Sequence, residues 1–183
     1  MTTKLGSLEF LPIQENVNMV AAPVAAAISQ LPDTATVGVA EIDPTLSDTA
    51  AFCEQYGVTA EQSANCVIVE GKRGEERKMA AVILLASTRA DINGAVCKAL
   101  DVKKASFAQM EKAVSESGME FGAITPIGLP ASWPILIDKA VAESAYVVIG
   151  SGIRTSKLAV PGSFLASLPG AMVIEGLANP RVQ

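Results

Sequence analysis

The sequence predicts an α/β fold: a mixed, largely antiparallel sheet, curved or barrel-like, surrounded by helices. Three observations lead there. The element order is helix, strand, helix, hairpin, two helices and then strands, which is not the regular β-α alternation of a doubly wound sheet. Two apolar runs, Ala64 to Glu70 and Lys78 to Ser87, flank a short charged turn and form a hairpin with a buried centre. Beyond Gly118 the chain is strand-rich with tight turns.

The elements follow in order. Val20 to Gln30 is Ala-rich and helical, with Pro23 tolerable only in its first turn. Thr36 to Ile42 carries β-branched residues in partial alternation and forms a strand. Asp43-Pro44 turns the chain. Ser47 or Asp48 caps a helix over Thr49 to Tyr56, which Gly57 stops. Gly71 to Glu76 turns the hairpin. Asp91 opens a helix to Leu100. Ser106-x-x-Gln109 has the spacing of a capping box for a helix from Phe107 to Glu116, closed by Gly118. Strands follow at Glu120 to Ile124, Ile135 to Asp138, Tyr146 to Ile149, Lys157 to Val160 and Ala171 to Ile174, with one helical turn at Leu165 to Leu168.

Composition bounds the function. Half of the 183 residues are hydrophobic and 18% are charged, against roughly a quarter charged in an average globular protein. One core-rich domain over residues 1–183 is expected, without disulfide or metal staples. There is no histidine, which excludes Ser-His-Asp and Cys-His hydrolases and His-containing zinc sites. Cys53, Cys66 and Cys97 share no C-x-x-C spacing and are expected as reduced thiols. No metal and no cofactor are expected. No signal-peptide-like or membrane-length apolar stretch occurs, so a cytoplasmic protein with no membrane partner is expected.

Charge is uneven. Residues 1–70 hold nine acids and one base; residues 71–183 hold thirteen bases and ten acids. Overall acidity argues against binding nucleic acid through a bulk field, while leaving room for a local basic rim. Lys72, Arg73, Arg77 and Lys78 form one basic group, and Lys98, Lys103 and Lys104 another; both also fit solvated turns.

Three constellations can carry chemistry. Gly122-Ala123-Ile124-Thr125-Pro126 continues through Gly128 to Pro130, with two glycines and two prolines in nine residues. That makes a rigid loop able to aim backbone N–H groups at an oxyanion or carboxyl group, or equally an ordinary structural turn. Gly150-Ser151-Gly152 with Arg154 and Lys157 places flexible backbone beside hydroxyl and cation, suited to phosphate or ribose contacts; a plain β-turn reads the same way. Asp101 to Ser106, with Lys103 and Lys104, joins two helices. Aromatics are scarce, and Phe107, Phe121 and Trp133 near these segments are expected in the core rather than as stacking platforms.

These pieces, carried by SANCVIVEG, AAVILLASTRADINGAVCKALDVKKASF, GMEFGAITPIGLP, WPILIDKAV and VVIGSGIRTSKLAV, resemble the YbaK/prolyl-tRNA-editing superfamily over about residues 48–177. The Gly-x-x-x-Pro loop, Gly122 to Pro126, is the most specific match. Residues 1–45 match poorly. The resemblance implies a YbaK-like fold and a trans-acting hydrolase of the ester that links a wrong amino acid to tRNA. The partner implied is a tRNA acceptor end carrying an amino acid, with a synthetase as a possible second partner. In the resembled family, backbone groups and a lysine position the ester, with no covalent nucleophile. The site residues it implies are Gly122, Ala123, Ile124, Thr125 and Pro126, Gly150, Ser151, Gly152 and Arg154. Asp138 ends an apolar strand in the matched region and either caps that strand end or orients a loop amide or an α-amino group. One departure stands out. The strand that begins with lysine in the family begins here with Asn65. Either Asn65 positions the ester alone, or Lys104 or Lys78 enters the site, or the domain binds aminoacyl-tRNA or an amino acid without cleavage.

Overall fold

The structure is a computed structural model and describes residues 2–182. Its strands are β1 (Thr3–Leu5), β2 (Leu8–Pro12), β3 (Gly38–Glu41), β4 (Ala64–Arg73), β5 (Glu76–Leu85), β6 (Thr88–Ala90), β7 (Lys104–Phe107), β8 (Ile135–Asp138), β9 (Val147–Gly150), β10 (Ser156–Val160), β11 (Ala171–Ile174) and β12 (Ala178–Pro180). Its helices are α1 (Ala22–Ile28), α2 (Thr49–Tyr56), α3 (Cys97–Leu100), α4 (Met110–Ser117), α5 (Lys139–Ala142) and α6 (Gly162–Ala166).

Two five-stranded sheets form, in the orders β1-β2-β3-β10-β9 and β11-β8-β5-β4-β7. The first is antiparallel throughout; the second is parallel only where β8 meets β5 and β11. A single bridge between Ser63 and Val148 joins the two where β4 begins. The expected mixed, largely antiparallel α/β architecture is the observed one.

Strand alternation sorts the core. From β5, Met79, Ala81 and Ile83 enter the main core with Ile137, Leu158 and Val24, while Ala80, Val82 and Leu84 cluster with Val96 and with Leu100 of α3. From β10, Leu158 and Val160 enter the main core, while Ala159 joins Phe10, Phe52 and Val148 beneath α2. The N-terminal segment belongs to the fold: β2 pairs with β3, and Phe10 and Ile13 are completely buried.

Short-range signals act as expected. The Asp48 carboxylate accepts from the N–H groups of Ala50 and Ala51, and Gly57 closes α2 at φ +68°. Pro23 lies in the first turn of α1. Four expectations are corrected. The hairpin strands run on to Arg73 and from Glu76, so the turn is Gly74-Glu75 and Gly71 lies inside β4. Ser106 is not a cap: it pairs with Glu70 as part of β7, and α4 begins only at Met110. Glu120 to Ile124 is turn and loop rather than strand. The Asp91 helix starts as a wide π-type turn, Ile92–Val96, before α3.

Candidate functional site

The start of β4, the end of β9, the cleft-facing side of β10, the N-terminus of α2 and the Gly122 loop enclose an open cleft of about 430 Å³. Asn65, Gly122, Ile124, Gly150 and Arg154 all line it. The two glycine motifs are brought together by backbone rather than by ligand-binding side chains. The Gly152 N–H donates to the Ala123 carbonyl at 2.8 Å, and the Glu120 N–H donates to the Gly152 carbonyl at 2.8 Å. A Cβ on Gly150 would lie 2.5 Å from the Ala123 carbonyl oxygen, so only glycine lets the loop dock there.

Residues 122–126 are therefore two-sided. Ala123, Thr125 and Pro126 face inward and are buried. The Thr125 N–H lies 3.5 Å from the Met119 sulfur, and its hydroxyl has no partner among the described residues. Gly122 and Ile124 face the cleft. Gly122 has φ +79° and nothing within 4 Å of where a Cβ would sit. Among the described residues, the N–H groups of Gly122 and Ile124 have no carbonyl partner. This is bare main chain at the wall of a cleft, the geometry an oxyanion or carbonyl oxygen requires.

The turn after β9 is mostly scaffold. Ser151 is fully buried; its hydroxyl lies 2.9 Å from the Ile153 carbonyl oxygen and accepts from the Ser156 hydroxyl at 2.7 Å. A Cβ on Gly152 would meet that of Ala21 at 2.4 Å. Neither residue lines the cleft, against the expectation of direct substrate contact. Arg154 does, with its guanidinium donating to the Pro44 carbonyl at 3.3 Å.

Three further candidates are placed elsewhere. Lys104 is exposed on β7 opposite Lys72, and Lys78 donates to the Leu100 carbonyl at 3.3 Å; neither lines the cleft. Asp138 is buried at the end of β8, where its carboxylate accepts from the Ala178 N–H at 3.3 Å and so pins the C-terminal segment. Asn65 lines the cleft. Its amide oxygen accepts the Thr49 hydroxyl at 2.8 Å, leaving the amide N–H₂ available as donor.

The cleft has two poles. One is polar: Ser47, Asp48, Thr49, Asn65, Arg154 and Lys157. Lys157 on β10 is a buried lysine, and the sequence signal for its burial is its place in the largely apolar strand SKLAV. Burial pulls its ammonium below the usual lysine range, partly offset by Cys53 and Asp48 nearby. The other pole is apolar and ends in Phe107, Met110 and Phe121, exposed by 66%, 52% and 54%. Trp133 is buried as expected, whereas Phe107 and Phe121 are not core residues. Local sequence carried no sign of that. A second hollow shares Asn65, Val67 and Phe107 with the first and continues past Arg89, Ser106 and Arg181.

Cys66 also lines the cleft, but burial pushes its thiol up to about 12, so it is no nucleophile at neutral pH. Among the described residues, no group of three or more His, Cys, Asp or Glu is placed to hold a metal ion. None of their helices is long and apolar enough to cross a membrane.

Solved structures share this fold at low sequence identity. A hypothetical protein matches at 21% identity and TM-score 0.69, over 79% of this chain and 92% of its own. A candidate trans-editing enzyme for prolyl tRNA synthetase matches at 17% and 0.70, over 84% and 93%. A scaffold protein used to present linear epitopes matches at 17% and 0.71, over 85% and 95%. No curated protein matches the chain. The family model described as aminoacyl-tRNA editing domain matches residues 43–167, which spans the α2 cap, the β4 strand, the Gly122 loop and the β9 turn. The chain belongs to the aminoacyl-tRNA editing domain family.

Proposed function

We propose that this protein is a trans-acting deacylase that hydrolyses the ester of mischarged tRNA. One observation carries the reading: Asn65, the bare Gly122 main chain and the Gly150 turn converge on a single open cleft. Family membership supplies the substrate class, an amino acid esterified to a tRNA end.

The chemistry balances without a protein nucleophile. Water oxygen bonds to the acyl carbon, and the acyl–oxygen bond to the ribose breaks. One water proton ends on the ribose oxygen, and the carboxylic acid releases the other to solvent. The activated ester needs orientation and a place for carbonyl charge more than a strong base, in keeping with a chain that has no histidine. The Asn65 amide orients the acyl group, the Gly122 and Ile124 N–H groups face the carbonyl oxygen, and the apolar rim of Phe107 and Phe121 supports the terminal adenine.

The direct test is release of amino acid from a panel of mischarged tRNAs by folded protein. Turnover of one or more, abolished in Gly122→Val, is the expected result. No turnover of any of them contradicts it.

A second reading has its own observation. Asn65 is neutral where the resembled family carries lysine, and Thr49 already occupies its oxygen. A module that holds aminoacyl-tRNA or a free amino acid without cleavage would bind ligand while hydrolysis stays at background. Asn65→Lys separates the two: gained activity marks a lost catalyst, and further loss marks a working asparagine site.

A further inference from the structure

Lys157 is the most unusual charge in the molecule. It stands on β10 opposite Gly150 and is only 8% exposed. Its ammonium donates to the Ser47 carbonyl at 3.2 Å and lies 5.2 Å from the centre of the Phe52 ring. It joins none of the ion pairs among the described residues. An ammonium has three N–H donors, and here one is used, by a neutral acceptor. Burying a charge without a counterion is costly. The cleft that its side chain lines opens beside this cation.

Asp48 lines the same pole. One of its carboxylate oxygens caps α2, and the side chain is otherwise exposed. It acts on Lys157 through space without contacting it. The polar pole thus offers a cation and an anion a short distance apart, both in the wall that Asn65 shares. An aminoacyl ester carries the complement: a carbonyl oxygen and, on the adjacent carbon, an α-ammonium.

We infer that Lys157 holds the ester carbonyl oxygen and Asp48 the α-ammonium, so that this pair supplies the charge that Asn65 lacks and restricts the site to esters with a free amino group. The inference rests on the deacylase reading. As water adds, the carbonyl electron pair moves onto the oxygen beside Lys157, then returns as the bond to the ribose oxygen breaks. Lys157 keeps its proton throughout. An N-acetylated aminoacyl ester offers Asp48 no cation and is a poor substrate.

The test compares aminoacyl-tRNA with its N-acetylated form on wild type, Lys157→Met, Lys157→Arg and Asp48→Asn. Asparagine caps a helix as well as aspartate does, so Asp48→Asn keeps α2 and removes only the charge. Lys157→Met should lower kcat by about 10²-fold with KM little changed, the size of one lost oxyanion donor. Lys157→Arg should recover part of it. Asp48→Asn should raise KM for the free-amine ester about tenfold and erase the preference over the N-acetylated one, the loss of one charge-assisted hydrogen bond. Should wild type be active while Lys157→Met keeps full kcat, or Asp48→Asn keep the preference, the inference falls and the deacylase reading stands. If wild type cleaves neither ester, both fall. Should Lys157→Met not fold, the Asp48→Asn discrimination decides alone.

Discussion

Gly122 and Gly150 lie in one cleft and are both needed as glycine, for opposite reasons. At Gly150 the missing Cβ is filled by protein: the Ala123 carbonyl oxygen comes within 2.5 Å of its place. At Gly122 it is filled by nothing, and the residue holds φ +79° with open space before it. The first glycine builds the loop's seat; the second leaves the loop's outer face bare. A glycine motif therefore reports two separate things, close approach within the fold and close approach by a ligand, and only the surroundings tell them apart.

Substitutions at the two positions should break along that line. Gly150→Ala pushes a methyl group into backbone, so stability and activity should fall together. A denaturant midpoint should register a loss of about 1–3 kcal/mol, typical of overpacking. Gly122→Val should cost about 1–2 kcal/mol for its left-handed backbone, yet lower deacylation by about 100-fold or more through lost approach. Equal ratios of activity to stability at both sites would erase the distinction.

The rim sharpens it further. Phe107→Ala removes an exposed ring, so the melting temperature should hold while KM rises about tenfold, within the ~1–3 kcal/mol of a base-stacking contact. Unchanged KM would return Phe107 to an idle surface residue.

Lys157 adds a pH signature. The titratable and charged groups around it are Asp48, the neutral Cys53 thiol and Arg154. Its folded pKa is depressed, chiefly by burial, so folding below that value carries the cost of a buried cation, and the cost is relieved as pH rises toward the unfolded value near 10.4. Wild type should therefore gain stability relative to Lys157→Met over the alkaline range, while its deacylation falls as the ammonium is lost. Parallel trends in the two readouts would contradict a catalytic use of the charge.

The smallest effect is remote from the cleft. Glu70 accepts from Lys112 at 2.8 Å and Arg77 at 2.7 Å, and these bonds hold its carboxyl below the usual range. Glu70→Gln should cost on the order of 1 kcal/mol at neutral pH. The deficit should vanish as pH falls through the folded pKa, where wild type loses the same charge.

Much of this was legible in the chain itself, and the particulars say why. The Asp48 cap and the Gly57 stop are encoded within a few residues and stand where local patterning puts them; the β4–β5 hairpin forms as expected but with its turn tightened to Gly74-Glu75. Ser106 shows the opposite case: its cap-like spacing lost to pairing with Glu70, a partner far away in sequence. The Gly122 loop was readable as a motif and Asn65 only through the family resemblance, and both line the cleft. Ser151 and Asp138 were readable only as polar residues in promising segments, and burial turned both into internal pins. Lys157 entered the site because strand alternation on β10 points it at α2; its apolar neighbours in SKLAV hint at burial, but which element it faces is set by sheet pairing. Phe107 was freed from the core by the same edge strand that displaced the expected helix start.

The central claim is that the outward face of residues 122–124 receives the acyl ester. Amide chemical shifts during titration with a non-hydrolysable aminoacyl-adenosine analogue address it directly. The Gly122 and Ile124 backbone amides and the Asn65 side-chain amide should move most, with the Lys104 amide still. Saturable binding that leaves those three signals in place, or shifts only residues of the second hollow such as Arg89, would contradict the account.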